Sequence, residues 1–336
     1  MIKVCQLGFG GMGRSHFAAY ERLEARGEDI KLVAICDINP DQFKKAVKTN
    51  LGDGAPSRLE GRHLYTDFDE MMKNEECDMV DVVLPTHLHA EYTIRALEYG
   101  RHVLCEKPMA RTPEDCARMI EAAKKYGKKL MIGQCLRFEP LYLYLKEAID
   151  NNTFGRVRSM FLDRLSPLPR WGNDSWYGDT DKSGGCALDL HIHDVDMIRF
   201  LLGEPKSVSA VAEDHTTKWQ LMNSRFNYDN VPVVVATGSW SEAHTLKFRM
   251  GYRVRFETAE VVLADGKITV YPDEGQPYEP ELKDDERIAA EIRFFADTFT
   301  KNTPNLTNTP ESAMQTVALV EKLCYSADHG GEIVKL

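Results

Sequence analysis

Residues 2–13 read IKVCQLGFGGMG, and the reading of this stretch decides the fold. Its first half, IKVCQLG (2–8), is a short β-rich apolar run. Its second half sets Gly8, Gly10 and Gly13 in G-x-G-x-x-G spacing and opens a helical stretch near 12–26. Strand, glycine turn and helix in that order predict a dinucleotide site. Gly8 permits a tight turn, Gly10 lets a pyrophosphate approach the backbone, and Gly13 lets helix and strand pack closely. The helix N-terminus then faces the phosphates. Glycine turns are common, so the motif alone is weak, and a purely structural turn is the alternative. Asp37 strengthens it. It stands 24 residues beyond Gly13, at the end of the second strand-like run, where a carboxylate can bond both hydroxyls of an adenosine ribose. The cofactor-binding candidates at this end are Gly8, Phe9, Gly10, Gly11, Met12, Gly13 and Asp37. Asp37 favours NAD, because its charge repels the 2′-phosphate of NADP and the stretch DINP (37–40) supplies no adjacent arginine. Lys44 and Lys45 on the next predicted helix keep NADP open.

Working outward, strand-like runs recur at 2–8, 30–37, 63–67, 79–85, 101–107 and 129–134. Between most of them lie amphipathic helical stretches near 12–26, 40–51, 88–99 and 113–126. Strands apolar on both sides, alternating with helices, predict a parallel sheet covered on both faces, a doubly wound Rossmann α/β domain over 1–135. From 136 to 336 the pattern changes. A helix near 139–150 and a strand-like run near 155–165 precede a Trp/Gly-rich loop and a helix over about 186–202. Longer alternating runs between 206 and 271, joined by turns such as YDN and DG, predict a large open, mainly antiparallel sheet. Helices near 284–300 and 310–327 close an α+β second domain.

Composition excludes several classes. With net charge −10 and pI about 5.6, the chain is a poor partner for nucleic acid or anionic membrane surfaces. The longest apolar runs, such as VPVVVA, fall far below the roughly 18 residues of a membrane span. The N-terminus has no signal-peptide anatomy. The eight cysteines form no C-x-x-C pair and read as reduced, mostly buried thiols of a cytoplasmic protein.

In a doubly wound sheet, ligands lie beyond the carboxyl ends of the strands. PTHLH (85–89) follows the fourth run and EKP (106–108) the fifth, so Pro85, Thr86, His89, Glu106 and Lys107 are candidates for the nicotinamide end. Pro108 biases Lys107 away from helical geometry and sets it at a sharp strand exit. A lysine there can bond the nicotinamide ribose and a substrate oxygen, the alternative being a solvated surface lysine. His89 alternatively serves helix packing.

GFGGMG, VLPTHLHAEYTIRALEYGRHVLCEKPMA, SGGCALDLHIHDVDMIRFLLGEP and TPESAMQTVALVEKLCYSA together resemble the glucose–fructose oxidoreductase / inositol dehydrogenase (Gfo/Idh/MocA) family over nearly the whole chain. The glycine motif is generic, whereas EKP combined with the D-x-x-x-H-x-x-D helix is diagnostic. The resemblance implies pyridine-nucleotide oxidation or reduction of sugars, cyclitols or their derivatives. It also implies homodimer or homotetramer contacts through the C-terminal sheet. It places Lys107, Asp189 and His193 in the family's catalytic set.

The stretch DLHIHDVD (189–196) carries three aspartates and two histidines in an otherwise apolar helix. At about 100° per residue, Asp189, His193 and Asp196 share one face, while His191 and Asp194 point elsewhere. That face is expected to border a wet cleft between the domains. Oxidising an alcohol requires removing a hydroxyl proton as a hydride leaves the same carbon. His193 suits the acid/base role. Lys107 suits holding the oxygen as alkoxide charge develops. Asp189 is a substrate anchor or proton-relay partner, and Asp196 is structural. His191 defaults to a satisfied interface or surface histidine. Two histidines at i and i+2 diverge by about 200° and cannot chelate one ion, so no metal is expected.

Arg137, after the sixth run, can reach substrate or cofactor or make a structural ion pair. Trp171, Trp176, Tyr177 and Lys182 in the loop before the helix suit carbohydrate faces and hydroxyls, or simply pin the loop. The leading reading is an NAD-dependent dehydrogenase of a sugar, inositol or related polyol. The alternatives are a redox glycoside hydrolase that holds NAD through transient oxidation, and a non-catalytic nucleotide-binding regulator.

Overall fold

The apolar runs of the N-terminal part become β1 (Ile2–Leu7), β2 (Ile30–Cys36), β3 (His63–Tyr65), β4 (Met79–Val82), β5 (His102–Glu106) and β6 (Leu130–Gly133). The computed structural model describes residues 1–44, 48–49, 52–53, 59–170, 173–283 and 286–336. The six strands lie in the order β3-β2-β1-β4-β5-β6, all parallel. Every residue of β4 and β6 is buried, as a sheet covered on both faces requires. The order reverses beside β1, which puts the ligand crevice of such a sheet beyond the ends of β1 and β4.

The helices of this part are α1 (Gly11–Ala25), α2 (Phe68–Asn74), α3 (His89–Glu98) and α4 (Pro113–Tyr126). Local chemistry bounds α4 at both ends. The Thr112 side chain accepts the Asp115 amide, Pro113 starts the helix, and Gly127 ends it at a φ of 62°. The helix expected over 40–51 begins as a single 3₁₀ turn, Pro40–Phe43, capped by Asn39; residues 45–47 and 50–51, Lys45 among them, lie outside the described residues. The short α2 escapes a periodicity reading because it is barely two turns long.

The second part contains α5 (Pro140–Asp150), β7 (Val157–Leu165), α6 (Thr180–Ser183), α7 (Gly185–Asp189), α8 (Ile192–Leu202), β8 (Ser207–Glu213), β9 (Leu221–Asn227), β10 (Val233–Ser239), β11 (Arg249–Phe256), β12 (Ala259–Ala264) and β13 (Lys267–Pro272). With β14 (Val334–Lys335) they form a sheet in the order β13-β12-β11-β7-β10-β9-β8-β14. Only β7 and β10 pair in parallel; the other neighbours are antiparallel. Alternation decides which face is covered: Met222, Ser224 and Phe226 of β9 are buried, whereas Asn223 and Arg225 are exposed. Helices α7 and α8 pack on the central strands β7, β9 and β10. The β12–β13 turn uses Asp265 and Gly266, both at positive φ, as a tight two-residue hairpin demands.

Helices α9 (Arg287–Thr300) and α10 (Pro310–Asp328) complete the chain. The division into two compact units is not a single cut near residue 135. One unit comprises Met1–Cys135, Trp171–Trp176 and Glu286–Gln315; the other comprises Leu136–Arg170, Tyr177–Asp285 and Thr316–Leu336. The cause is the apolar stripe of α9. Ile288, Ala289, Ile292, Phe295 and Ala296 join Phe9, Phe17, Tyr20 and Leu23 in the core of the first unit. Among the described residues no helix is long and apolar enough to cross a membrane, and the eight cysteines, all buried, form no disulfide.

Candidate active site

The glycine turn is built from the inside. Gly8 sits at a φ of 101°, and a Cβ there would lie 2.2 Å from the Val83 carbonyl oxygen. A Cβ on Gly13 would lie 2.4 Å from the Gly8 carbonyl oxygen. The buried Gln6 amide donates to both the Gly8 and the Gly13 carbonyls at 2.8 Å, stapling the turn. Gly10 differs. A Cβ at that position meets nothing within 4 Å, and Gly10, as the N-cap of α1, brings no side chain to the helix amides behind it. Protein packing therefore accounts for Gly8 and Gly13, while nothing in the protein packs against Gly10, the glycine whose place in such a turn lets a phosphate approach the backbone.

Asp37 follows β2, and its carboxylate accepts the Phe9 amide at 2.7 Å and the Asn39 amide at 2.9 Å. Burial pushes the Asp37 carboxyl up, against those amides and the charge of Arg14. Arg14 is a residue that sequence reasoning missed. It follows Gly13 directly, lies 4.6 Å over the Phe9 ring and donates to the Gln42 carbonyl. The stretch DINP (37–40) after β2 holds no arginine, whereas α1 supplies one.

Farther along the same carboxyl edge of the sheet, Lys107 and Pro108 leave β5 through a cis peptide, with Lys107 half-buried. The Lys107 amide donates to Glu106 Oε2 at 3.0 Å. Pro85 is half-buried and Thr86 is buried in the turn after β4. His89 is buried, with Nδ1 2.8 Å from the Pro108 carbonyl oxygen and Nε2 2.7 Å from that of Leu84, as its helix-packing alternative expects. It ties the exit of β4 to the exit of β5.

In the second unit the 186–202 helix is two helices. The Leu190 and His191 amides both reach back to the Cys186 carbonyl, at 3.0 and 2.8 Å, and this slip separates α7 from α8. The single continuous face inferred for Asp189, His193 and Asp196 is therefore corrected. Asp189 ends α7, and His193 is the second residue of α8. Both are half-buried, whereas the other three ionisable groups of 189–196 are buried and committed. Asp194 takes Arg164 at 2.9 and 3.1 Å. Asp196 takes Arg137 at 2.7 and 2.8 Å and the Thr316 hydroxyl at 2.9 Å. His191 is a core histidine rather than a surface one. Its Nε2 lies 2.8 Å from the Ser224 hydroxyl, and its ring presses on Gly238.

Arg137 accordingly resolves to its ion-pair reading. It is 4% exposed and lies over the Phe200 ring as well as against Asp196. Tyr177 is buried edge-on to Trp240, centroids 6.1 Å apart, and so pins its loop. Lys182 is half-buried beside Asp179, and Trp176 is half-buried. Trp171 lies outside the described residues. Among the described residues no three His, Cys, Asp or Glu side chains are grouped to hold a metal ion.

Residues 2–134 match the model of an oxidoreductase family with an NAD-binding Rossmann fold, and residues 142–276 match the Gfo/Idh/MocA C-terminal domain. The chain belongs to the Gfo/Idh/MocA oxidoreductase family. Its first unit carries that family's NAD-binding Rossmann domain. Within the family it is similar to levoglucosan dehydrogenase of Pseudarthrobacter phenanthrenivorans, 31% identical over 221 residues, which are 62% of this chain and 53% of the relative. It is similar to myo-inositol 2-dehydrogenase of Thermotoga maritima, 30% identical over 203 residues, 60% of this chain and 55% of the relative. The match spans about half the length of these curated relatives. A solved levoglucosan dehydrogenase, in complex with NADH and levoglucosan, shares the fold at a TM-score of 0.82 and 20% identity, covering 99% of each chain.

Proposed function

We propose that this Gfo/Idh/MocA protein is an NAD-dependent dehydrogenase acting on a secondary hydroxyl of a sugar, inositol or related polyol. The observation that carries the reading is the sorting of DLHIHDVD. His191, Asp194 and Asp196 are buried in the core, while Asp189 and His193 keep solvent access. The similarity to dehydrogenases named for levoglucosan and myo-inositol supports the substrate class.

His193 is assigned the proton of the hydroxyl, because an imidazole exchanges protons near neutrality. Lys107 is assigned the hydroxyl oxygen, where its ammonium opposes the developing negative charge. Asp189 is assigned a neighbouring hydroxyl or the orientation of His193. Bound NAD would supply the hydride acceptor, held by the turn Gly8–Gly13 and by Asp37. Asp37 favours NAD over NADP by like-charge repulsion, with Arg14 nearby moderating that preference.

The test is an NAD-reduction screen of myo-inositol, levoglucosan, hexoses, amino sugars and alkyl glucosides. Stoichiometric NADH with one class of polyol is expected. Glycoside cleavage without net NAD consumption would overturn the reading in favour of a redox hydrolase. No turnover of any kind, with NAD bound, would favour a regulator.

A further inference from the structure

Behind Lys107 lies a buried polar cluster that the proposed chemistry does not use. His16, on the core side of α1, is wholly buried. Its Nδ1 lies 2.8 Å from Asp81 Oδ2 of β4, and its Nε2 lies 2.9 Å from Glu106 Oε1 of β5. Carboxylates only accept, so both ring nitrogens must donate, and the ring is an imidazolium. Burial works against that charge, but the two carboxylates outweigh it and hold the His16 pKa well above the ordinary value. Burial likewise works to raise Glu106, yet the His16 hydrogen bond and charge keep it below the ordinary carboxylate range. Tyr20 adds its hydroxyl to Asp81 Oδ2 at 2.9 Å. Glu291 of α9 stands near the same cluster, pushed well up by burial and by Glu106, and accepts from the Asn308 amide at 3.3 Å.

Glu106 thus has two tasks. Oε1 receives His16, and Oε2 receives the backbone amide of Lys107 at 3.0 Å. With Oε1 anchored, the carboxylate plane is set, and Oε2 can hold the peptide from which the lysine projects. We propose that His16 is a positioning residue for Lys107, acting through Glu106 to couple the glycine-turn helix to the strand end that carries the lysine. This rests on the reading of Lys107 as the group that holds the substrate oxygen.

Two variants separate positioning from bulk stability. In His16→Gln the amide nitrogen replaces Nε2 and keeps a donor toward Glu106. In His16→Asn the amide nitrogen replaces Nδ1, keeps a donor toward Asp81 and leaves Glu106 Oε1 without one. The first readout is the Lys107 amide proton in ¹⁵N-labelled full-length protein. His16→Asn is expected to move it upfield and raise its exchange rate at least about tenfold, the scale of one lost hydrogen bond to a charged group. His16→Gln should stay near wild type. The second readout is kcat with whichever panel polyol the wild type oxidises. His16→Asn should lower kcat at least about tenfold with NAD affinity unchanged, and the loss should vanish in a Lys107→Ala background.

Equal shifts and equal kcat losses in both variants, or losses that simply multiply with that of Lys107→Ala, would overturn the proposal in favour of a structural role. Should either variant fail to fold, it is remade together with Asp81→Asn, which removes one charge of each sign, and is read in the same way. If no polyol is oxidised, the reading of function fails while the amide readout still decides the link from His16 to Lys107.

Discussion

Arg137 and Asp196 meet fork to fork in the interior of the second unit, Nε to Oδ2 at 2.8 Å and Nη2 to Oδ1 at 2.7 Å. Side-chain exposures are 4% and 2%, so neither charge has water to fall back on. Arg137→Ala would leave Asp196 buried without its bidentate guanidinium, with the Thr316 hydroxyl still donating to it. It is expected to cost about 3–5 kcal/mol in urea unfolding. A loss below about 1 kcal/mol would show that the pair is not what holds this part of the core.

The glycines of the turn should separate by kind. Gly10→Val places its side chain in open space at an ordinary φ of −75°, so the thermal midpoint should move by no more than a few degrees. NAD affinity, measured by calorimetry, should fall at least about tenfold. Gly8→Ala forces an L-residue to a φ of 101° and into the Val83 carbonyl, so it should lower stability instead. Unchanged NAD binding in folded Gly10→Val would remove the turn from the cofactor site.

Asp37→Ala should weaken NAD more than NADP. The variant loses acceptors for the ribose hydroxyls and also loses a charge that repels a 2′-phosphate. It frees the Phe9 and Asn39 amides too, and that part of the loss falls on both cofactors alike. The informative quantity is therefore the ratio of the two dissociation constants. An unchanged ratio would mean that Asp37 shapes the turn without choosing the cofactor.

Lys107→Ala and His193→Ala should each retain NAD binding and turn over the panel polyol about 10²–10⁴-fold more slowly. Stopped-flow measurement of the first turnover keeps product release out of the comparison. Near-wild-type rates in both variants would sink their assignment.

His191 should impose an acid limit on stability. Burial first, and then the charge of Arg164, hold its pKa down to about 3. Between that value and an unfolded value of about 6.5, the unfolded chain binds a proton that the folded chain refuses. Stability from this residue is therefore fully present above pH ~6.5 and is lost as pH falls through the window, by about 1 kcal/mol per pH unit. Urea midpoints at pH 7.5 and pH 5 should differ less in His191→Gln than in the wild type. The same pH slope in both would clear His191 of the effect.

Much of the fold could be read from pattern alone. The six parallel strands follow from short runs apolar on both sides, and the large sheet follows from alternation. Both are local periodicities set by which face meets water. The break between α7 and α8 left no such mark. A backbone hydrogen bond that slips back to Cys186 changes the helical phase without changing the order of apolar residues. The return of α9 to the first unit was hidden for a related reason, since an amphipathic stripe announces that it will be buried and not against what.

The residue chemistry divides along the same line. By itself the sequence determined the dinucleotide turn, the acid after β2, the lysine at the exit of β5 and the family to which they belong. Each depends on residues close in the chain, whose spacing a strand or helix converts directly into geometry. Tertiary structure alone decided which of the ionisable groups of DLHIHDVD stay near water. It also decided that Arg137 serves Asp196, that Arg14 stands near Asp37, and that His16 joins Asp81 and Glu106 across separations of 65 and 90 residues. A buried charge survives only with a partner, and long-range packing selects that partner.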